Sequence, residues 1–305
     1  MRIAYLISAY TDPVQFGRTI AALADRDTAF FIHIDARVEE SPFRNSVPDS
    51  AAGQTVFLKK RFRVNWGGYS QVRYQTALLE ACLSCGREFD RVIIISGQDY
   101  PLSGRDGIQN TLRKAGSREF ITGLDISRLE GNSRIRSKIV DYHFFTDIRH
   151  FPRIVKKTVR FLLDAAGIKK KPYVEVRGSR WDVFQSSSYM CISSDLAKYV
   201  LETFRNEKSV RRYFRFAYIP EELLIPTIVF NSPFRDRCTI YPDRYDGLKT
   251  LSALTYFNYG EKIQVFSTDD YDELTSSGKL FARKFATGIS DRLMERLESE
   301  LSVKY

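Results

Sequence analysis

The sequence predicts an α/β protein built on a mainly parallel, doubly wound sheet with helices on both faces. In the N-terminal part, short apolar runs alternate with segments whose apolar residues recur at helical spacing, which is typical of strand–helix–strand units. Runs such as "FFIHI" and "VIIIS" are apolar almost throughout, as expected for parallel strands covered on both faces. A chain of 305 residues with 43% hydrophobic content is long enough to bury a core of this kind.

The expected elements follow in order along the chain. Strands are predicted at residues 3–8, 29–35, 55–60, 91–96 and 118–123, and helices at residues 13–24, 69–83 and 105–114. Further on, residues 186–193 have the pattern of a strand, and Ser193 or Ser194 is the expected cap of the helix that follows. Residues 218–234 favour another helix that begins at Pro220, with Glu221 and Glu222 in its first turn.

The charge balance indicates an anionic partner. The chain has 47 basic and 37 acidic residues, a formal net charge of +10, so nucleic acid, anionic lipid and phosphorylated small molecules are all candidates. No nucleic-acid-binding signature is present. No apolar stretch has the length of a membrane span, and the N-terminus does not resemble a signal peptide. We read the four cysteines, at positions 82, 85, 191 and 238, as buried free thiols and expect a cytosolic protein.

The segment 124–180 differs from its surroundings because it has few strand patterns and many charges. Within its basic part, residues 149–180, four apolar residues fall at helical spacing: Val155, Val159, Leu162 and Leu163. Two interpretations stay open at this stage. A solvated helix packed on the protein core is preferred, and the alternative is a helix on an anionic membrane surface.

Two carboxylates predict a ligand crevice. Asp35 ends the strand "FIHID" and Asp99 follows the strand "VIIIS". One such aspartate is equally well explained as a cap of the next turn, but two at strand ends of one sheet favour a ligand, because open α/β sheets bind ligands beyond the carboxyl ends of their strands. The Gly67–Gly68 pair ahead of the helix 69–83 would also let the backbone approach a ligand, although this signal is weak alone.

Other chemistries have little support. The three histidines do not cluster, and Cys82 and Cys85 have no second pair with which to complete a zinc site. The two Asp-x-Asp triplets, Asp25–Asp27 and Asp270–Asp272, are read as structural rather than as ligands of Mg²⁺ or Mn²⁺. Neither a glycine-rich phosphate-loop motif nor a nucleophile elbow is present.

Six stretches stand in the order of one family's motifs. They are "FFIHIDARVE", "VNWGGYSQVRYQTALLEACL", "FDRVIIISGQDYPL", "GSRWDVFQSSSYMCISSDLAKYVL", "YIPEELLIPTIVFNSPF" and "SGKLFARKF". On these motifs the chain, over residues 1–285, resembles the core-2/I-branching N-acetylglucosaminyltransferase and peptide O-xylosyltransferase family. The match is poorest over residues 124–175.

The resemblance implies a single GT-A-like domain over residues 1–305. Residues 1–123 would be the nucleotide-binding half, residues 124–180 a variable basic segment that faces the acceptor or a membrane, and residues 181–305 the catalytic and acceptor half. The implied reaction is inverting transfer of a sugar, GlcNAc or xylose, from a UDP-sugar to a hydroxyl of a glycan acceptor. Family enzymes work without a divalent metal, so no cofactor is expected.

The resemblance also assigns roles to individual residues. Glu222 aligns with the catalytic base, and Lys284, with Arg283, would stabilise the leaving diphosphate. Asp99 would contact sugar hydroxyls, and Gly97 would let the chain come close to that sugar. The remaining expected donor contacts are Asp35, Trp66 and Ser96, and the expected acceptor contacts are Trp181, Glu221 and Asp99 itself.

The chain also departs from the family pattern. "SAY" (residues 8–10) stands where many relatives have a histidine, a second diphosphate-binding cation falls near Glu261 and Lys262, and Pro226 should kink the helix that carries Glu222. We expect a cytosolic, bacterial enzyme of surface polysaccharide or glycolipid synthesis, peripheral to the inner membrane and acting on a lipid-linked glycan. The alternative is a non-catalytic protein that binds a nucleotide-sugar or an anionic glycan.

Overall fold

The structure, a computed structural model, describes residues 1–129, 133–242, 245, 247–259 and 262–303. Its strands are β1 Ile3–Ala9, β2 Thr28–Ile34, β3 Thr55–Phe57, β4 Arg91–Ser96, β5 Asp99–Pro101, β6 Thr122–Asp125, β7 Tyr173–Val176, β8 Ser179–Asp182, β9 Phe184–Gln185, β10 Met190–Ser193, β11 Thr239–Ile240, β12 Thr255–Tyr256 and β13 Phe281–Arg283. Its α-helices are α1 Pro13–Leu23, α2 Ser41–Ser46, α3 Asp49–Ala52, α4 Ser70–Leu83, α5 Arg105–Lys114, α6 Ser133–Val140, α7 Arg153–Ala165, α8 Ser194–Asn206, α9 Lys208–Phe214, α10 Leu224–Phe230, α11 Tyr271–Ser276 and α12 Asp291–Val303. Short 3-10 helices span Pro220–Glu222, Arg235–Arg237, Leu248–Leu251 and Thr268–Asp270.

The central sheet has the order β10-β4-β1-β2-β3. Strands β4, β1, β2 and β3 are parallel to their neighbours, and only β10 is antiparallel, at the edge beside β4. The predicted mainly parallel sheet is therefore confirmed. Because β10 comes from beyond residue 181, the C-terminal part of the chain contributes a strand to this sheet. The division of the chain into a nucleotide-binding half and an acceptor half stays a prediction.

Both faces of the sheet are covered by helices, as the apolar strands require. Side chains alternate along β1, so that Ala4 and Leu6 join one hydrophobic cluster while Tyr5 and Ile7 join another. Apolar residues of α4 and α8 belong to the first cluster, and those of α1 and α5 belong to the second. Because β1 pairs in parallel with both β2 and β4, the carboxyl ends of these three strands lie together at one edge of the sheet.

Three strand predictions need correction. The strand expected at residues 186–193 begins only at Met190. The strand expected at residues 118–123 begins only at Thr122 and pairs with β9 and β11 in a separate small sheet, while Phe120 makes one isolated bridge to Cys191. The strand expected at residues 55–60 ends at Phe57. A second small sheet has the order β12-β13-β5 and places Arg283 opposite Asp99.

The helix expected from Pro220 is divided in two. Pro220–Glu222 form a 3-10 turn, and α10 begins only at Leu224. Pro226 has no N–H, so the Glu222 carbonyl lacks the donor four residues ahead that a continuous helix would supply. That carbonyl instead accepts from the backbone N–H of Ser186 at 2.9 Å. The expected kink therefore takes the form of a break before α10, and it sets Glu222 on a short turn against β9.

The basic segment forms α7, but the preferred interpretation of this helix is wrong. None of the residues of α7 is buried, so the helix does not pack its apolar side on the core. Within the described part of the chain, no helix is long and apolar enough to cross a bilayer. All four cysteines are free, as expected, although Cys85 is exposed and Cys238 is only partly buried.

Candidate functional site

A cavity of about 740 Å³ opens at the carboxyl ends of β1, β2 and β4. Its wall includes Ser8 near the end of β1, Tyr10 just after it, Asp35 and Arg37 after β2, and Ser96 at the end of β4. The remaining lining residues that bear on its chemistry are Trp66, Gln71, Tyr74, Arg149, Tyr189, Glu221, Glu222, Tyr259, Arg283 and Lys284. The cavity therefore lies where the two strand-end aspartates predicted a ligand crevice.

Asp35 is paired with Arg37 inside this wall. The two side chains approach to 2.6 Å, and Asp35 also accepts from the backbone N–H groups of Arg37 and Val64. Burial alone would raise the pKa of Asp35, but these hydrogen bonds outweigh it and hold the pKa below its usual range. Asp35 is thus an ionised acceptor that also fixes the Arg37 guanidinium at the cavity.

Asp99 lies beneath the cavity and is fully buried. Its carboxylate accepts from the backbone N–H of Ser96 at 3.0 Å, from the Ser96 hydroxyl at 2.7 Å and from Arg283 at 3.1 Å. In this structure Asp99 therefore faces Ser96 and Arg283, which themselves line the cavity, rather than the open space. Its expected direct contact with a sugar stays a prediction, and its observed contacts are those of a group that holds Arg283 in place.

The cations of the cavity come from three parts of the chain. Arg283 and Lys284 reach it from β13, and Arg37 from the loop after β2. Arg149 also lines it and was not singled out from the sequence, because it falls in the basic segment among many similar charges. Lys262 is exposed and does not line this cavity, and Glu261 lies outside the described residues.

Glu221 and Glu222 line the same cavity and add two carboxyl groups to that of Asp35. Burial raises the pKa of Glu222 to about 7, while Lys138 and a 2.9 Å hydrogen bond from the Gln185 amide act against the rise. Burial, followed by the charge of Glu222, raises the pKa of Glu221 as well. A carboxyl group with a pKa near neutrality can take a proton from a bound hydroxyl at physiological pH.

The amide of Gln71 reaches Glu221, a contact that we did not predict from the sequence. Gln71 donates to Oε1 of Glu221, whereas Oε2 is buried and has no hydrogen-bond partner among the described residues. Gln71 sits in the first turn of α4, within the "NWGGYSQ" stretch, so its place next to that motif was the only available signal.

The two tryptophans differ in position. Trp66 is 73% exposed, lines the cavity and packs edge-on against Tyr218 with ring centres 5.7 Å apart. Trp181 lies on β8, paired with Val174, and packs against the hydrophobic core. It is not part of the cavity wall, so its expected acceptor contact stays a prediction that this geometry does not support.

Gly68 and Gly97 each lie where a Cβ would collide with the protein itself, and the approach of a ligand to these glycines stays a prediction. A Cβ on Gly68 would lie 2.2 Å from a carboxylate oxygen of Asp147, and that oxygen accepts from the backbone N–H of Ser70 at 3.0 Å. The start of α4 is therefore occupied by a side chain of the protein. A Cβ on Gly97 would lie 2.6 Å from the Cβ of Ala9, so Gly97 permits close packing of neighbouring strand ends.

Among the residues that the structure describes, no three of the His, Cys, Asp and Glu side chains cluster as metal ligands would. Asp270 caps its own 3-10 helix together with Ser267, as the structural interpretation of that triplet predicts. Metal independence itself stays a prediction.

A comparison with known protein families identifies the family of this chain. The model of the core-2/I-branching enzymes matches residues 3–241. This chain belongs to the core-2/I-branching enzyme family. The resemblance drawn from the six motifs is confirmed. Glu221 and Glu222 lie within the matched range of this family, whereas Arg283 and Lys284 lie beyond it.

Individual relatives are more distant. Xylosyltransferase oxt of Drosophila melanogaster is 24% identical over 322 residues, an alignment that takes in 100% of this chain and 34% of the fly protein. The Drosophila pseudoobscura pseudoobscura protein of the same name is also 24% identical. The chain thus spans about a third of the length of these curated relatives.

Among solved structures, the apo form of mouse xyloside xylosyltransferase 1 is 10% identical and has a TM-score of 0.33, with 78% of this chain and 84% of the mouse chain covered. A Bacillus anthracis protein described as a glucose-1-phosphate thymidylyltransferase has the same TM-score and identity, with 78% of this chain and 86% of that chain covered. TM-scores this low support no conclusion about the fold.

Proposed function

We propose that this chain is an inverting glycosyltransferase that transfers xylose or GlcNAc from a UDP-sugar to a hydroxyl of a glycan acceptor. The observation that carries the proposal is that Glu222, with a pKa near 7, lines the same cavity as Arg283 and Lys284. Membership of the core-2/I-branching family and the similarity to xylosyltransferase oxt support the choice of reaction and of donor.

In the proposed step, the acceptor hydroxyl oxygen attacks the anomeric carbon and Glu222 takes its proton. The bond between that carbon and the UDP oxygen breaks, and the electron pair leaves with the diphosphate. Arg283 and Lys284 stabilise the negative charge that develops there, which is the task that a metal ion performs in other enzymes. One carboxylate is sufficient because the leaving diphosphate needs charge compensation rather than a proton.

The positions of the other groups fit supporting roles. Asp99 and Ser96 hold Arg283 from below, and Asp35 holds Arg37. Burial, and then the charge of Arg283, lower the pKa of Lys284, so a bound diphosphate would restore the favourable environment that its ammonium lacks. In this scheme the positive charge of Lys284 is favourably placed only when the anionic donor is bound.

The acceptor class is proposed from charge. The basic segment 149–180 contributes Arg149 to the cavity wall, and the same segment forms α7. This positive charge favours a lipid-linked glycan at the cytoplasmic face of a membrane over a neutral soluble sugar. Synthesis of a bacterial surface polysaccharide or glycolipid is the role we propose on this basis.

Calorimetric titration with a panel of UDP-sugars, first in EDTA and then with Mn²⁺, tests the proposal. We expect binding in EDTA with one sugar preferred. Binding only in Mn²⁺ would overturn metal independence, and no binding in either buffer would overturn the assignment of the donor. Donor binding without turnover on any glycan acceptor would favour the alternative, a non-catalytic nucleotide-sugar binding protein.

A further inference from the structure

Helix α7 has a cationic face that borders a cavity and large apolar side chains that are exposed to solvent. Arg153, Lys156, Lys157 and Arg160 recur at spacings of three and four residues and therefore share one face. All four line a second cavity between α7 and the rest of the protein. An amphipathic surface helix normally turns its apolar face inward, but here the cationic face borders a cavity. Three of these cations, Arg153, Lys157 and Arg160, are also exposed. Of the large apolar residues of α7, only Val159 and Leu163 are half-buried.

Several large apolar side chains of α7 are exposed to solvent. Ile154 is 71% exposed, Phe161 69% and Leu162 59%, and none of them lines either cavity. Half of the large hydrophobic side chains that are exposed in the described residues fall between positions 145 and 168; the seven are Phe145, Ile148, Ile154, Val155, Phe161, Leu162 and Ile168. A concentration of this kind marks an interaction surface rather than scattered exposure.

The second cavity is suited to an anion. It has a volume of about 1020 Å³, and its described lining has five Lys and Arg side chains, the four of α7 and Lys138, but no carboxylate. Within the described residues, none of the four α7 cations forms an ion pair with a carboxylate. Concentrated positive charge around a concave space favours a phosphate.

The two cavities adjoin each other. Trp66 lines both, and Ile219 in the second cavity precedes the turn that carries Glu221 and Glu222. A ligand anchored behind α7 would therefore extend toward the proposed catalytic base. An apolar face outward and a basic cavity behind it are the two requirements for a helix that lies among acyl chains beside lipid phosphates.

We propose that α7 docks on a membrane through its apolar face and that the cavity behind it binds the phosphate of a lipid, which directs a lipid-linked acceptor toward Glu222. The proposal deepens the function proposed above and rests on it for the role of the acceptor. Its test measures membrane binding alone, so its failure and a failure of the transferase assignment are distinguishable.

The experiment is co-sedimentation of the whole chain with vesicles of three compositions. These are phosphatidylcholine alone, phosphatidylcholine with phosphatidylglycerol, and phosphatidylcholine with a small fraction of polyprenyl phosphate. We expect weak binding to the first and strong binding to the second or the third. Binding that requires phosphatidylglycerol assigns the headgroup as the phosphate source, whereas binding promoted by polyprenyl phosphate assigns the acceptor's own phosphate.

Two variants test the apolar face and the cationic face of α7 separately. Phe161→Asp should weaken binding by at least about tenfold, because a side chain of this size loses its transfer into the apolar layer. Arg160→Glu should weaken it by at least about fivefold, through the loss of one favourable charge near anionic lipid. The matched controls are Ile289→Asp and Arg292→Glu, which make the same chemical changes at exposed positions far along the chain.

The proposal is supported if the α7 variants lose binding and the controls retain it. It is overturned if the wild-type chain binds none of the vesicles, if the α7 variants bind as the wild type does, or if the controls lose as much as the α7 variants. Because all four positions are solvent-exposed, thermal unfolding should show that each variant is folded.

Discussion

The carboxylate of Asp99 and the guanidinium of Arg283 form an ion pair beneath the candidate active site, with 3.1 Å between oxygen and nitrogen. The Asp99 side chain is 0% exposed and that of Arg283 is 11% exposed. Burial raises the pKa of Asp99, and Arg283 and Ser96 oppose part of that rise. The pair joins the end of the central sheet to β13, so it links the position of a cavity cation to the sheet itself.

Asp99→Asn should therefore destabilise the protein and weaken donor binding together. Removing one partner of a buried ion pair leaves the other charge uncompensated, and we expect a loss of about 3 kcal/mol in the free energy of unfolding. Urea denaturation measures this loss. Asp195→Asn is the control, because Asp195 is exposed and its pair with Lys198 is open to solvent. Equal small effects in the two variants would contradict a supporting role for Asp99.

Glu222→Gln should abolish transfer and leave UDP binding nearly unchanged, since the amide cannot accept the hydroxyl proton. In the wild type, kcat/KM should rise with pH and level off above about 7, because Glu222 acts only when deprotonated and its pKa is near 7. Steady-state assays across pH measure both effects. A variant that retains most of its activity would remove Glu222 from the role of base.

Lys284→Ala should weaken UDP binding by about tenfold or more, as expected for the loss of a charged hydrogen bond, and should change uridine binding little. Lys262→Ala is the matched control because Lys262 is exposed and does not line the cavity. Calorimetry with UDP and uridine makes the comparison. Equal losses for both ligands would contradict a diphosphate contact, and a loss in Lys262→Ala as large as that in Lys284→Ala would establish Lys262 as the second cation.

His33 should make the protein less stable in acid. Its ring accepts from the backbone N–H of Phe62 at 3.0 Å, lies 3.2 Å from the Ser8 hydroxyl and is fully buried. Burial lowers the pKa of His33 from 6.5 to about 4. Because the unfolded chain binds this proton first, the contribution to stability is complete above pH 6.5 and is lost as the pH falls through 4, at up to about 1.4 kcal/mol per pH unit.

The pH dependence of unfolding in His33→Gln measures this contribution. The raised pKa values of Glu221 and Glu222 act in the opposite direction over an overlapping range, so the quantity to compare is the difference between variant and wild type. That difference should change with pH between 6.5 and 4 for His33→Gln, and the control is His150→Gln, whose side chain is exposed. A constant difference in both would contradict a buried neutral His33.

The local sequence pattern was sufficient to predict the strands and helices of the N-terminal part. The residues of β1, β2, β4, α1, α4 and α5 were predicted to within one or two positions, because their apolar periodicity and their burial are the same property. Prediction failed at residues 118–123, where the strand pairs in another sheet, and at Pro220–Glu222, where Pro226 breaks the helix. In both places the outcome depends on partners that are distant along the chain.

The residues of the candidate site were likewise only partly predictable from the sequence. The sequence indicated Asp35, Asp99, Glu222 and Lys284 through strand ends and family motifs, but not Arg149 or Gln71, whose residue types are common and whose relevance comes only from the wall on which they stand. It also could not tell that Asp99 is enclosed by Ser96 and Arg283, since enclosure requires β13 to lie across the end of β4.

The sequence by itself determined that this protein is an α/β chain of the core-2/I-branching family with acids at the ends of its parallel strands. Periodicity, composition and ordered motifs are properties of neighbouring residues, so a reader of the chain can recover them. Only the tertiary structure decided which way those side chains face. It placed Asp99 under Arg283, set the cations of α7 along a cavity and left Ile154, Phe161 and Leu162 exposed, because orientation is set by packing between segments far apart in sequence.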